Sequence, residues 1–573
     1  MRKINLYPAL VQTVEGVKWG YIDNNGKFVL LPQYEAAEDF QDNGLAIVQI
    51  KGKFGVIDLR GNFVVEPKYG SIIGFTEGRA AVVDDQGFKV IDEQGQVLTD
   101  KAYSFIGMYQ EGRAVVANTD SQGNYLYGYL DLLGKEVIPL QYRSADDFVG
   151  GKAVVQVKDY EYALIGLYGE TLARYNYAFV GNLGEGLLAF KLSQNFEGLF
   201  GYIDEQGKVV QPPQYSSAGP FHEGRAVVNT STDILTNQYG LIDRKGNLLI
   251  KPVYNDLLYL GEGRVAAGKA LDSKKPYMGS KYAIANLDGN ILSNFIFSSV
   301  EPYKEGLASA TDGNKTFFID RGGRVAQNLP IVKGSGTVTF VGALVKANVD
   351  YHLSYYLPNG SMVWQQNTII PLNSQYRVRE EKYKPNKDYL VYYPQIEGMV
   401  DRTAQKKANK KLAELSRVIP VKSNAQLDYT FDGNFAIEFF CNKLLVLQLS
   451  SYRFPYGAAH GMPSELYPHV DLVSGRFYQL KALFMPGSNY VQVLSDIIGY
   501  QIIHNPEYSY VFPDSYHGIK PDQPFYVSEH ILSIYFFPYE IAPYAAGFPT
   551  FRIPFAAIMG IINVQGNFWR AFH

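Results

Sequence analysis

The sequence has a single cysteine among its 573 residues, so no disulfide can form within one chain. Cys441 lies in an apolar stretch, which favours a small buried residue over a reactive thiol. No run of about 18 apolar residues is present, so we expect no membrane span. The net charge is only −3, which gives no general attraction for a phosphate backbone. Nucleic acid is therefore not an expected partner.

Targeting and cofactor motifs are also missing. The amino terminus carries Arg2 and Lys3, but no apolar signal core follows them. We expect either a protein that stays inside the cell or an envelope protein whose leader is missing from this sequence, and the localisation stays open. No phosphate-cradling glycine loop, dinucleotide fingerprint or Ser-His-Asp spacing occurs in a strand-to-helix context. We therefore expect no cofactor and no enzymatic activity.

The composition indicates a folded chain with many short strands. Hydrophobic residues make up 46% and charged residues 19% of the sequence. The chain has 45 tyrosines, 34 phenylalanines and 55 glycines, which suits strands joined by tight turns. A chain of this length is too long for one hydrophobic core, so two or more domains are expected.

A pattern recurs through the first two thirds of the chain. It consists of an aromatic residue, Gly, two apolar residues and Asp, then a glycine turn and a Pro-x-Tyr step, as in Phe200 to Tyr215. The spacing is about 34 to 43 residues, which is typical of a supersecondary unit that must stack on its neighbours. The Asp position of successive copies falls at Asp23, Asp58, Asp92, Asp131, Gly166, Asp204, Asp243, Asn286 and Asp320.

Each copy is predicted to be a three-stranded meander. In the second copy the strands cover residues 44–50, 54–58 and 62–66, and Asp58 accepts hydrogen bonds from the amides of its own turn. We favour this structural role for the repeated Asp over a calcium-ligand role, because each turn supplies only about one carboxylate. The recurring Glu-Gly-Arg steps are interpreted as turns that lead into strands.

These copies resemble the bacterial WG-repeat family, whose Trp-Gly step is intact at Trp19-Gly20. The resemblance covers about residues 7–365 and implies an all-β repeat array that serves as a binding or spacing surface, with no catalytic residues. Three copies replace the glycine with Ala163, Ala283 or Phe317. We favour an open superhelix over a closed propeller, because the copies are numerous, about ten, and irregularly spaced.

A different organisation begins after the repeats. We divide the chain into a repeat array at 1–365, a polar connector at 366–384 and an α+β domain at 385–573. Residues 400–416 have the apolar spacing of an amphipathic helix, with its lysines on a solvated face. Residues 488–503 form a second predicted helix, capped by Ser488. The predicted fold class is therefore an all-β array followed by an α+β domain.

Two stretches of this domain carry a second resemblance. They are Tyr456-Gly-Ala-Ala-His460-Gly461 and Tyr539-Glu-Ile-Ala-Pro-Tyr544-Ala-Ala-Gly547. They are similar to paired domains of unknown function in the extracellular part of a lysozyme-responsive anti-sigma factor, and beside the catalytic domain of some peptidoglycan deacetylases. The resemblance implies recognition of an envelope protein or a glycan, and it does not imply hydrolysis.

The candidate binding residues come from these two stretches. They are Tyr456, His460, Tyr539, Glu540 and Tyr544. A structural interpretation is open for two of them, since His460 can fix its own loop and Glu540 can tie a strand to a turn. An alternative metal site would use His460, His469 and Asp471, although no His-x-x-x-His pair supports it.

The sequence favours a non-enzymatic binding protein whose partner is a protein or a peptidoglycan-type glycan. Aromatic side chains beside glycines are typical of such contact surfaces. One alternative is a metal-dependent cell-wall amidohydrolase that uses the three possible ligands. A second alternative is an intracellular scaffold, which the missing signal sequence favours.

Overall fold

The structure is a computed structural model that describes residues 5–193, 198–233 and 235–573. The chain forms two compact units. The first comprises Met1–Leu10 and Lys18–Gln366, and the second comprises Val11–Val17 and Asn367–His573. None of the helices among the described residues combines the length and hydrophobicity that a bilayer crossing requires.

Among the described residues, the first unit contains ten small antiparallel sheets, which we number in chain order, except that residues Val11–Val17 of sheet 1 belong to the second unit. Sheet 1 contains the strands Tyr7–Thr13, Gly16–Ile22 and Phe28–Tyr34, and sheet 2 contains Ala36–Ala37, Ala46–Ile50, Lys53–Ile57 and Phe63–Tyr69. Sheet 3 contains Ser71–Ile72, Arg79–Asp84 and Gly87–Asp92, and sheet 4 contains Phe105–Ile106, Ala114–Thr119, Tyr125–Leu130 and Glu136–Tyr142. Sheet 5 contains Ser144–Ala145, Lys152–Lys158, Glu161–Gly166 and Thr171–Tyr175.

Sheet 6 contains the strands Phe179–Gly184, Leu187–Lys191, Phe200–Asp204 and Val209–Tyr215, and sheet 7 contains Ser217–Ala218, Arg225–Asn229, Tyr239–Asp243 and Leu248–Tyr254. Sheet 8 contains Asp256–Gly261, Arg264–Ala270 and Ser280–Asn286, and sheet 9 contains Ser299–Val300, Leu307–Thr311, Lys315–Asp320 and Val332–Lys333. Sheet 10 contains Gly336–Val341, Leu344–Val349, His352–Tyr356 and Met362–Gln365. The predicted all-β array is confirmed. Most of the predicted meanders gain an additional strand at the leading edge, often only two residues long.

Consecutive sheets pack face to face, because one sheet cannot bury its own apolar face. Between sheets 6 and 7, for example, Tyr202 and Tyr215 share a core with Phe221 and Ile242. Equivalent cores lie between sheets 1 and 2 and between each following pair up to sheets 9 and 10. The hydrophobic core of this unit is therefore a series of interfaces between repeats.

The last sheet also packs on the first. Tyr7 and Ile22 of sheet 1 share a core with Leu353 and Tyr355 of sheet 10. The Tyr355 hydroxyl donates to the carbonyl of Pro8 at 2.8 Å. We call this interface the seam. It joins the two ends of the array into a ring of sheets, as in a propeller, so the open superhelix favoured from the spacing is wrong. Irregular copy lengths are absorbed in loops and did not prevent closure.

Glu-Gly turns link four of the repeats to the next one, a role that the sequence did not reveal. Glu111 and Gly112 both have positive φ, 53° and 75°, as a two-residue hairpin turn requires. The carboxylate of Glu111 accepts hydrogen bonds from Gly150 N and Gly151 N of the next repeat, at 2.8 and 2.7 Å. Contacts of the same kind join Glu77 to Gly112, Glu185 to Gly224 and Glu262 to Gly306.

The repeated Asp has the structural role expected of it. Asp58 Oδ1 accepts hydrogen bonds from Arg60 N and Asn62 N, both at 2.9 Å. The same pair of bonds forms at Asp23, Asp92, Asp131, Asp204, Asp243, Asn286 and Asp320. These side chains close the turn between the second and third strands of the meander.

The glycine of the aromatic-Gly step makes room for a bulge in the neighbouring strand. In sheet 7, Tyr239 pairs with Tyr254 and Leu241 with Ile250, so three residues lie opposite Gly240. A Cβ atom on Gly240 would lie 2.7 Å from the Ile250 carbonyl oxygen. In sheet 5, where Ala163 replaces the glycine, the strands pair in regular register at this point. The loss of the glycine and the loss of the bulge occur together.

We expect Gly240→Ala to lower the free energy of unfolding by about 1 to 3 kcal/mol, because the added methyl group has to displace backbone. The reverse change, Ala163→Gly, adds no clash and should cost about 0.5 to 1 kcal/mol. Denaturant unfolding of the full chain measures both. Equal stability of Gly240→Ala and the parent protein would contradict the steric explanation.

The second unit contains an eight-stranded sheet and a three-stranded sheet. The strands of the larger sheet are Ile369–Pro371, Arg377–Asn386, Tyr389–Glu397, Tyr429–Cys441, Leu444–Pro455, Met462–Leu466, His469–Asp471 and Phe477–Tyr478. Those of the smaller sheet are Phe525–Val527, Ile531–Tyr535 and Thr550–Pro554. The α-helices are α1 (Arg402–Leu415), α2 (Tyr490–His504) and α3 (Phe555–Ile558). The 3-10 helices among the described residues are Pro276–Met278, Leu480–Leu483, Pro506–Tyr508, Tyr544–Ala546, Met559–Ile561 and Trp569–Ala571.

Helix α1 packs on the larger sheet through Ala404, Ala408 and Leu412. Asp401 caps it by accepting from Thr403 N and Ala404 N. Helix α2 buries Leu494 and Ile498 in a separate core that includes the smaller sheet. The predicted α+β domain is therefore confirmed.

Three details of this unit differ from the sequence predictions. Residues 366–384 are not a connector, since Ile369–Pro371 and part of Arg377–Asn386 are strands of the larger sheet. Their charged side chains are compatible with a strand because one face of an antiparallel sheet can be solvated. Asn489 rather than Ser488 occupies the cap position of α2, without a side-chain bond. Cys441 is half-buried at the edge of a core rather than fully buried.

Candidate functional site

The candidate site is built from two loops and one strand of the second unit. The strand Leu444–Pro455 pairs with Met462–Leu466, and Arg453 lies opposite Met462. The loop between these strands contains His460 and Gly461. The other loop follows the strand Ile531–Tyr535 and leads into the short 3-10 helix Tyr544–Ala546.

Four side chains meet at these loops, and we call them the aromatic cluster: Tyr452, His460, Tyr539 and Tyr544. The rings of His460 and Tyr544 lie 4.3 Å apart between centroids, and those of Tyr539 and Tyr544 lie 5.7 Å apart. Tyr539 is 52% exposed, so the cluster presents aromatic surface to solvent. Exposed aromatic groups of this kind are enriched in binding interfaces.

Hydrogen bonds through Gly461 hold the cluster together. Gly461 N donates to the Tyr452 hydroxyl at 2.8 Å, and the Tyr544 hydroxyl donates to the Gly461 carbonyl at 3.1 Å. A Cβ atom on Gly461 would lie 2.6 Å from the Arg453 carbonyl oxygen, so only glycine fits here without a shift. The loop is thereby fixed against the strand before any ligand arrives.

The tautomer of the neutral His460 ring follows from its hydrogen-bond partners. Its Nδ1 lies 3.0 Å from the Gly461 carbonyl oxygen, so Nδ1 carries the proton and donates. In the neutral ring Nε2 is then an acceptor, and it faces the Tyr539 hydroxyl at 3.4 Å. A hydrogen bond with Tyr452 raises the pKa of Tyr544, and burial and nearby tyrosines add to this effect.

Two of the predicted binding residues have supporting positions instead. The Tyr456 hydroxyl donates to Asp388 Oδ1 at 2.7 Å, and burial together with this bond raises the pKa of Tyr456. Glu540 accepts from Lys520 Nζ at 3.0 Å and from Phe537 N at 3.1 Å. Tyr456 anchors the start of its loop, and Glu540 ties its turn together.

Tyr452 is part of the cluster, but it is not among the binding residues predicted from the sequence. It lies in an ordinary alternating strand, where it pairs with Asp432 on one side and Pro463 on the other. Nothing in its local sequence distinguishes it from other strand tyrosines. Its place in the cluster depends on the strand register, which brings its hydroxyl to Gly461 N.

The structure does not bring the three alternative metal ligands together. Among residues 5–193, 198–233 and 235–573, no group of three or more His, Cys, Asp or Glu residues is arranged to hold a metal ion. The ring of His469 is buried and stacks on Phe525 at 4.3 Å. Asp471 closes a turn by accepting from Val473 N and Ser474 N.

The electrostatics of His469 and Asp471 agree with structural roles. Burial lowers the pKa of His469 to about 3, so the ring is neutral at physiological pH. Burial alone would raise the pKa of Asp471, but hydrogen bonds from Ser474 and Tyr478 outweigh this effect and hold it below its usual value. The ligand set that the amidohydrolase alternative requires is not assembled.

Comparisons with known families agree with the two-part organisation. The WG containing repeat matches residues 19–54, 54–86, 90–119, 127–160, 200–230, 239–269 and 282–315. The protein of unknown function family DUF3298 matches residues 481–556, which include both Tyr539 and Tyr544. The chain therefore carries an amino-terminal array of WG repeats and a carboxy-terminal DUF3298 domain. No curated protein matches the sequence.

Solved structures of the DUF3298 family are among those similar to this chain. One from Bacteroides fragilis NCTC 9343 is 15% identical, with a TM-score of 0.25, and the match covers 33% of this chain and 93% of that one. Another, from Pseudomonas aeruginosa PAO1, is 18% identical, with a TM-score of 0.26, covering 34% and 95%. BamB from Moraxella catarrhalis is 12% identical, with a TM-score of 0.27, covering 57% and 95%.

Proposed function

We propose that this protein is a non-enzymatic binding protein and that the aromatic cluster is the contact surface for a protein partner of the cell envelope. The observation that carries the proposal is the fixed and exposed arrangement of His460, Tyr539 and Tyr544 around Gly461. The WG-repeat array supplies a second surface or a spacer in this proposal.

The geometry of the cluster favours binding over catalysis. Tyrosine contributes large contact area at low entropic cost, because it has only two rotatable side-chain bonds. Here the hydrogen bonds to Gly461 have already ordered Tyr452 and Tyr544. Preorganisation of this kind increases affinity, because less conformational freedom is lost on binding. Glu540, which is adjacent to Tyr539 in the sequence, already forms an ion pair with Lys520.

The test is calorimetry of the full chain with a lysozyme-type muramidase, which the resemblance to a lysozyme-responsive protein suggests as the probe. We expect Tyr539→Ser and Tyr544→Ala each to weaken binding at least tenfold, about 1.4 kcal/mol, as is typical of interface tyrosines.

Tyr500→Ser is the matched control, because Tyr500 is also exposed and stacks on a histidine, His504, at 4.0 Å. This variant should bind like the parent protein.

Soluble peptidoglycan fragments form a second arm of the experiment. Binding of the fragments alone would transfer the proposal to a glycan partner, and binding of neither probe would contradict it.

A further inference from the structure

A second surface of the carboxy-terminal unit lies between α1 and the strand Tyr389–Glu397. It is a cleft of about 400 Å³, lined by Tyr393, Gln395, Arg402, Gln405, Lys406, Asn409, Lys410 and Ala413. We call it the basic cleft, because it has three cationic side chains and no acidic residue in its lining. It lies within the range of volume that small-ligand sites occupy, about 300 to 1,000 Å³.

The walls of the cleft are held at a fixed separation. Asn409 of α1 clamps the strand, since its Oδ1 accepts from Ile396 N at 2.8 Å and its Nδ2 donates to Ile396 O at 2.9 Å. Ala404, Ala408 and Leu412 pack the opposite side of the helix on the sheet. The cleft is therefore part of the folded framework and not a gap between loosely packed elements.

The cations form a row along the helix. Arg402, Lys406 and Lys410 are spaced at i, i+4 and i+8, so they share one face, and the row extends over about 12 Å. Like charges at this spacing destabilise an isolated helix by about 0.2 to 0.5 kcal/mol for each pair. The single acid of α1, Glu414, follows Lys410 at i+4, but its carboxylate lies 3.8 Å from Lys411 Nζ and forms no ion pair with Lys410.

The opposite wall does not neutralise the row. Tyr393 and Gln395 point to the same face of their strand as Glu397. The carboxylate of Glu397 is occupied by Arg379 and Arg377, whose Nε atoms lie at 2.7 and 2.6 Å, and these bonds lower the pKa of Glu397. In the part of the chain that the structure describes, Arg402, Lys406 and Lys410 form no ion pair with an acidic side chain.

We propose that the basic cleft binds a linear multivalent oxyanion, a chain of phosphate or carboxylate groups that lies along α1. The row of cations pairs with successive anionic groups, while Tyr393 and Gln395 supply neutral polar contacts from the strand. This site is separate from the aromatic cluster, and its ligand is recognised by charge spacing rather than by aromatic contact.

The experiment is calorimetry of the full chain with tripolyphosphate and with citrate, which represent the phosphate and carboxylate sources, at low ionic strength. We expect saturable binding of at least one probe that weakens as potassium chloride is added. Lys406→Gln should lower the association constant at least fivefold, and Lys406→Gln with Lys410→Gln should abolish binding. If the protein binds one probe more tightly than the other, that preference identifies phosphate or carboxylate as the anionic group of the ligand.

Lys407→Gln is the matched control, because it removes the same charge from the same helix outside the cleft. Lys407→Gln should change the association constant less than twofold. Circular dichroism should show unchanged helix content in every variant, since Gln and Lys have similar helix propensity. Equal effects of Lys406→Gln and Lys407→Gln would mean unspecific attraction and would overturn the proposal, as would the absence of saturable binding of both probes. We expect these changes to leave muramidase binding unaltered, so this test stands apart from that of the aromatic cluster.

Discussion

Tyr355→Ala should lower the free energy of unfolding of the repeat array by about 3 to 5 kcal/mol, the range found for truncation of large buried aromatic side chains. Tyr355 is fully buried at the seam, where its ring lies 5.6 Å from that of Tyr7 and 6.0 Å from that of Trp364. Its hydroxyl also donates to Pro8 O. The substitution removes this packing and leaves the carbonyl of Pro8 without its partner.

The measurement is denaturant unfolding followed by tryptophan fluorescence. Two of the three tryptophans, Trp19 and Trp364, border the seam core, and Trp569→Phe removes the third. Tyr202→Ala is the internal comparison, because Tyr202 is also fully buried and its hydroxyl donates to Gly219 O at 2.6 Å. In a closed ring the two variants lose similar stability. A much smaller loss for Tyr355→Ala would show that the ends of the array are open in solution.

The carboxy-terminal unit should lose stability as the pH falls from 6.5 towards 3, with His469 as a main cause. Burial lowers the pKa of His469 to about 3 in the folded state, whereas the unfolded value is near 6.5. The neutral ring therefore contributes stability that is fully present above about pH 6.5. This stability is lost as the pH falls, because the unfolded chain takes up a proton on this ring more readily than the folded chain does. The loss from this residue approaches about 1.4 kcal/mol per pH unit within this window.

His469→Phe isolates the effect, since Phe retains the stack on Phe525 but does not titrate. We expect the midpoint of unfolding to become less sensitive to pH between 6.5 and 4, with Trp569 as the fluorescent reporter of this unit. His504→Gln is the control, because His504 is exposed on α2. An unchanged pH profile in His469→Phe would refute the assignment.

The repeat unit could be predicted from sequence because its determinants are local. The Asp58 turn is held by hydrogen bonds within four residues. The glycine opposite the bulge is required by the steric room within a single hairpin. Closure of the ring depends instead on contacts such as that between Tyr355 and Pro8, which are 347 residues apart. The small angle between successive sheets decides whether these residues meet, and no local pattern encodes it.

The candidate site was predictable only in part for the same reason. The loops of His460 and Tyr544 stand out because of their glycine and aromatic content. Their meeting, and the participation of Tyr452, depend on how the strands pair. The three alternative metal ligands illustrate the opposite failure, since His469 and Asp471 are near in sequence but are committed to a buried stack and a turn.

The seam also limits how this array can evolve. An open solenoid can gain or lose a copy at either end, because only one interface changes. Here ten sheets share one full turn, about 36° each, so an added copy would change the angle at every interface by about 3°. Duplication of a single repeat would therefore be felt throughout the ring, and the number of repeats is fixed by geometry rather than by the content of any one copy.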